Sequence, residues 1–203
     1  MRRLSSFLLV LAAALAAAAA AVPANADTNT NASTVVVTGD RLAWTSVWRS
    51  YPSRSDFNSL DVARVGHESD SGGTNRSFFR MDTSAVKGAQ ILSARFRTFE
   101  THSWSCSARP VEVWRTGPVD STTTWNNQPA WIAKLNVLNV AKGYNSACPD
   151  GNVDFNVLAA VREAAATGAD DVTLGLRATS ETDTFGWKKF NNNPVLIVEF
   201  TAP

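Results

Sequence analysis

The chain has 203 residues, with 19 basic and 18 acidic side chains, 44% hydrophobic residues, seven tryptophans and two cysteines. That length suffices for one domain with a sizeable core, and the near-neutral balance argues against a dedicated nucleic-acid binder, which carries a basic excess or stripe. No segment after the N-terminal one is apolar enough to span a bilayer.

The chain begins MRRLSSFLLVLAAALAAAAAAVPANA: two arginines, an apolar run, a proline and an A-x-A exit at Ala24–Ala26. That order marks residues 1–26 as a secretory signal peptide. The run is short for a membrane anchor and ends in a helix breaker. Removing it leaves 177 residues with 17 basic and 18 acidic side chains, because Arg2 and Arg3 leave with it. The product is expected to be secreted, with no membrane attachment. The alanine-rich leader has bacterial character, so the sequons at Asn31 and Asn75 carry no weight. Residues 27–39 are read as a flexible N-terminal segment, polar at first, although TVVVT (34–38) has the composition of a short strand. The domain proper is taken as residues 40–203.

Short β candidates follow, separated by turn residues. They are DVARV (61–65), RSFFRMD (76–82), ILSARFRTFE (91–100), PVEVWRT (110–116), DVTLGLRAT (171–179) and PVLIVEFT (194–201). In the third, Leu92, Ala94 and Phe96 share one face, with Ser93, Arg95 and Arg97 on the other. In DVTLGLRAT, Val172, Leu174, Leu176 and Ala178 share a face. Many short strands with Gly, Asn, Ser and Pro between them predict an all-β fold, an antiparallel sandwich. One stretch departs from period two: Val157, Ala160, Val161 and Ala164 recur at helical spacing, with Asn156 to cap the start and Gly168 to end it. The long turn-rich stretch 49–59 (RSYPSRSDFNS) is the first place to look for function on length grounds.

Cys106 and Cys148 both lie in the exported part, so one disulfide between them is expected; closing that loop adds about 4 kcal/mol. The sharper alternative, a catalytic thiol served by His102 in HSWSC, would need a free cysteine. Other catalytic sets are missing from the sequence. His67 and His102 cannot supply a three-histidine zinc site, and there is no H-E-x-x-H or G-x-S-x-G. Asp170/Asp171 and Glu181/Asp183 read as solvated turn acids. No enzyme activity is expected. No cofactor is expected beyond a structural calcium ion, for which Asp56, Asn58 and Asp61 have a suggestive spacing that matches no calcium-loop pattern.

The tryptophans carry more information. Sugar rings pack their C–H faces on indole, and their hydroxyls pair with amide, basic or acidic side chains. Tryptophans also fill sandwich cores. Two groups are candidates for ligand contact: Trp44, Trp48 and Tyr51 at the start, and Trp187 with Lys188 near the end. Lys188 and Lys189 are adjacent, so on a strand they point to opposite faces and one stands beside the aromatic in solvent. The competing reading makes that segment an edge strand protected by charge.

RSFFRMDTSAVKGAQILSARFRTF, STTTWNNQP, VDFNVLAAV and TLGLRA…PVLIVEFT occur in this order. Together they resemble the motifs of the DNRLRE domain, a bacterial extracellular β-sandwich similar to a family of carbohydrate-binding modules. The resemblance runs from about Asp40 to the end, and THSWSCSARPVEVW with GWKKF is similar to an actinobacterial branch found in secreted or wall-associated proteins. Asn156 stands where the family has Asp, a change that keeps a helix cap. The resemblance implies a jelly-roll-type sandwich and places the recurring Trp125, Asn126 and Pro129 in a folding turn rather than in a ligand site. The implied function is non-catalytic binding of an extracellular or cell-wall polysaccharide. The alternative is a structural or adhesive surface protein without a defined sugar ligand.

Overall fold

The computed structural model describes residues 33–70 and 73–201; the signal-peptide assignment lies outside the described residues. Eleven strands and one helix follow in chain order: β1 (Thr34–Gly39), β2 (Arg41–Trp48), β3 (Ala63–Glu68), β4 (Gly73–Asp82), β5 (Gln90–Ser103), β6 (Arg109–Thr116), β7 (Trp131–Val140), β8 (Gly151–Asn156), α1 (Leu158–Thr167), β9 (Asp171–Ala178), β10 (Lys188–Phe190) and β11 (Val195–Thr201). The pairings between them are antiparallel. The path runs β1-β11-β5-β10-β3-β4-β9-β6-β7, with β8 on β5 and β2 on β4, so the β10–β3 pairing joins two faces of one curled sheet. This is the all-β sandwich that the strand pattern predicts.

Alternation sends one face of each half inward. Phe79, Met81, Val111, Val113, Leu174 and Leu176 come from one side, and Ala94, Phe96, Phe155, Leu196, Val198 and Phe200 from the other. Phe79, Phe96 and Phe155 form a tilted chain of rings with centroids 5.4 and 6.5 Å apart. Each fully buried side chain of this size contributes about 1.5–3 kcal/mol of transfer free energy. Leu92 departs from the expected face and is exposed. The β5–β11 register slips there, pairing Ser93 with Glu199 and Ile91 with Phe200, so a bulge turns Leu92 out and Ile91 in.

Helix α1 closes the core with Ala160, Val161, Ala164 and Ala165. The side chain of Asn156 accepts the Leu158 N–H at 3.0 Å, while Val157 occupies the N-cap position itself. Gly168 ends the helix in the left-handed conformation, as expected.

Two boundaries change. The segment 27–39 is not flexible throughout, because β1 pairs along its length with β11, Thr34 opposite Thr201 through Gly39 opposite Leu196. A β-branched run beside an open edge, with Val35 and Val37 against the core, supplies the reason. The Lys188 segment is no edge strand either, since β10 is hydrogen-bonded to β3 on one side and β5 on the other.

Candidate functional site

Pairing on both sides decides the fate of Trp187 and Lys188. Both are buried, at 1% and 0% exposure, and neither offers a face to a ligand. Trp187 stacks on Trp104 (5.4 Å, 27°), meets His102 edge-on at 5.4 Å, and has Lys189 Nζ 4.8 Å from its centroid. Opposite facing of the two lysines holds, with Lys189 the one beside the aromatic. Lys188 points inward and donates to Ser103 Oγ (2.5 Å) and to the Phe185 carbonyl (2.6 Å). Burial lowers its ammonium to about 8, against the opposing pull of the Glu100 charge. The same burial raises the Glu100 carboxyl to about 7. His102 is also lowered, first by burial and then by the two lysine charges.

Of the early aromatic group, Trp44 is buried on the inner face of β2, nearly parallel to Phe79 (6.2 Å, 15°), with its Nε1 donating to the Ser59 carbonyl. It anchors the long loop instead of reaching solvent. Trp48 and Tyr51 remain accessible at the loop's start, Trp48 half-buried and Tyr51 50% exposed. Their rings meet edge-on at 6.4 Å, and the Arg54 guanidinium lies 4.8 Å from one centroid and 4.6 Å from the other. Arg64 adds a second cation 5.0 Å from Trp48. The sequence reading missed both arginines; the spacing Trp48-x-x-Tyr51-x-x-Arg54 in a turn-rich loop was the signal available. Backbone bonds Tyr51 N to Trp48 O and Arg54 N to Tyr51 O set that spacing, and Asn126 N to Pro52 O ties the loop to its neighbour.

The calcium candidates sit in the same loop, where arginines and the backbone engage them. Asp56 pairs with Arg54 at 3.0 Å, Asp61 with Arg64 at 2.7 Å, and Asn58 Oδ1 accepts the Trp44 N–H at 3.0 Å. The hydrogen bond from Arg64 holds the Asp61 carboxyl below its usual range. Among the described residues no cluster of three or more His, Cys, Asp or Glu forms a metal site.

A larger aromatic band covers the outer face of β4, β9, β6 and β7. Register sets Trp114 opposite Gly175, and Gly175 opposite Phe78. Trp131 fills the gap left by the missing side chain, since a Cβ on Gly175 would lie 2.8 Å from Trp131 Cζ3. Guanidinium groups alternate with the indoles. Arg76 lies 4.6 Å from Trp125 and 5.7 Å from Trp131, and Arg177 lies 4.9 Å from Trp131 and 4.4 Å from Trp114. Glu112, 3% exposed, accepts from Lys134, Trp114 Nε1, Arg177 and Thr179. Burial works to raise its carboxyl, but the bonds from Lys134, Trp114 and Arg177 together bring it down to about 2.

Trp125 covers the small apolar cluster of Val47, Phe78 and Val119 beside this band. Asn127 N returns to the Thr124 carbonyl, and Gln128 joins the Trp125 carbonyl to Arg76. Asn126 is exposed in that turn and Pro129 half-buried at its exit.

The turn acids are not simply solvated. Asp170 pairs with Lys87, Asp171 with Arg80 (2.6 Å), Glu181 with Arg76 (2.7 Å) and Asp183 with Arg109 (2.7 Å). Cys106 and Cys148 form the expected disulfide, which removes the Cys–His reading.

Among solved structures, the K3 cleaved adhesin domain of Lys-gingipain from Porphyromonas gingivalis is similar at 10% identity, over 81% of this chain and 99% of that one. The TM-score of 0.42 is too low to carry an argument. No curated protein matches the sequence. A sequence model of one family matches residues 45–200, from within β2 almost to the end of β11. With that match over most of its length, the chain belongs to carbohydrate-binding module family 96.

Proposed function

We propose that the chain is a secreted, non-catalytic module that binds an extracellular or cell-wall polysaccharide through Trp48, Tyr51, Arg54 and Arg64. Family membership supports the glycan and the absence of chemistry. The leader pattern and the disulfide support export to an oxidising compartment. The finer assignment, a DNRLRE-like domain of an actinobacterial wall-associated branch, rests on the motifs of the sequence. The single observation that carries the site is the exposure of Tyr51 beside the Arg54 guanidinium, on a loop pinned by Trp44. Tyr51 supplies a stacking surface, and the arginines supply donors for ring and hydroxyl oxygens.

The test is a pull-down against cellulose, chitin, xylan, alginate and purified bacterial cell wall, each with and without calcium. Selective retention should fall about tenfold on Tyr51→Ala, the loss of one stacking contact. Phe185→Ala, which removes another exposed ring, should leave retention unchanged. Retention that calcium alone restores would add an ion to the site. The second reading, a structural or adhesive surface protein, draws on the burial of Trp44 and Trp187, which assigns those rings to folding. Failure of every polysaccharide to retain the protein would favour it.

A further inference from the structure

We propose that the β7–β8 loop carries a second glycan subsite, centred on Tyr144 and selective for neutral sugar rings. It rests on the glycan-binding reading but uses a separate surface. A cleft of about 300 Å³ opens there, lined by Thr101, Tyr144, Asn145, Ser146, Pro149 and Asp150.

Three devices hold the loop rigid. Gly143 has a φ of +76°, and its backbone lies so close to β5 that a Cβ would fall 2.3 Å from the Thr101 carbonyl oxygen. Gly143 N donates to Cys148 O, Cys148 N to Asn145 O, and Ala147 N to Asn145 Oδ1, closing a compact turn. The Cys106–Cys148 disulfide then ties that turn to the β5–β6 connection. A binding loop fixed before its ligand arrives has less conformational freedom to lose on binding.

The side chains on this base are unspent. Tyr144 is 49% exposed. The other exposed aromatics among the described residues, Tyr51 and Phe185, each carry an arginine on the ring. Among the described residues nothing stacks on Tyr144, and none makes a hydrogen bond or ion pair with its hydroxyl, with Asn145 Nδ2, with the Ser146 hydroxyl or with the Asp150 carboxylate. An open aromatic face with a hydroxyl, an amide donor and a carboxylate around one cleft matches a pyranose, apolar on its C–H face and hydroxylated at its edge. Asp150 sets the class. A carboxylate with no cation on it accepts from sugar hydroxyls and repels a carboxylated or sulfated ring.

The experiment is affinity electrophoresis of the wild type, Tyr144→Ala, Tyr144→Phe, Asp150→Ala and Tyr51→Ala. The gels contain hydroxyethylcellulose, galactomannan, arabinoxylan or polygalacturonate. Expected is retardation in at least one neutral gel that Tyr144→Ala and Asp150→Ala each weaken about tenfold and Tyr144→Phe preserves. Reducing the disulfide, with the fold checked by circular dichroism, should weaken the wild type to the level of Tyr144→Ala and leave the effect of Tyr51→Ala in place. Equal retardation of the wild type and Tyr144→Ala in every neutral gel overturns the subsite. Retardation by polygalacturonate alone, abolished by Tyr144→Ala, overturns the sugar class. Loss on Tyr144→Ala with none on Tyr51→Ala would sustain this subsite and count against the Tyr51 site, whereas no retardation in any gel refutes the subsite and leaves the Tyr51 site to the pull-down.

Discussion

Gly175 is the position where one methyl group tests the outer-face band most directly. Alanine there would place its Cβ 2.8 Å from Thr116 Cγ2 and 2.8 Å from Trp131 Cζ3, where carbon atoms ordinarily rest about 3.5–4.0 Å apart. Trp131 cannot swing away freely. Phe78 holds it at 5.1 Å, Trp114 meets it edge-on at 6.0 Å, and Arg76 and Arg177 lie on it. Overpacking of this kind costs about 1–3 kcal/mol. An unhindered strand glycine would instead gain about 0.5–1 kcal/mol on becoming alanine, so the two accounts differ in sign. Urea unfolding followed by far-UV circular dichroism on the wild type, Gly175→Ala, Trp131→Ala and the double variant reads the coupling. With the indole gone only the contact with Thr116 Cγ2 remains, so the double variant should fall short of additivity by about 1 kcal/mol. A neutral or stabilising Gly175→Ala, or additivity within about 0.5 kcal/mol, would refute the idea that Trp131 is seated on Gly175.

Trp187→Ala should cost about 3–5 kcal/mol in urea unfolding because the ring is buried, while glycan retention per folded molecule stays unchanged. Opening the Cys106–Cys148 bridge, which spans 42 positions, should lower stability by about 4 kcal/mol, read as the difference between oxidised and reduced unfolding curves. Glu112 has a folded pKa of about 2, below its usual 4.5, so its contribution is present above pH 4.5 and lost as pH falls toward 2. Acid titration of stability should show that slope, and Arg177→Ala, which removes one of its donors, should flatten it.

The period-two face of β9, that of β5 from Ala94 onward, the helical spacing before Gly168 and the pairing of the two cysteines were legible in the sequence, because each depends on near neighbours or on simple parity. Strands β7 and β8 were not. Two register shifts against β6 break the alternation of WIAKLNVLNV, and β8 is a short run that extends up to the helix cap. The same limit applies to the site. Adjacency shows that Lys188 and Lys189 face opposite ways, but only pairing of β10 to both β3 and β5 decides that Lys188 goes inside. Seven tryptophans can be counted from the chain, yet whether each meets solvent, a cation or the core depends on what lies across the sheet. Composition and local period determined a β-sandwich by themselves. Long-range register and the loops folded over each face decided which aromatic rings remain open, since burial belongs to contacts between distant segments and has no local code.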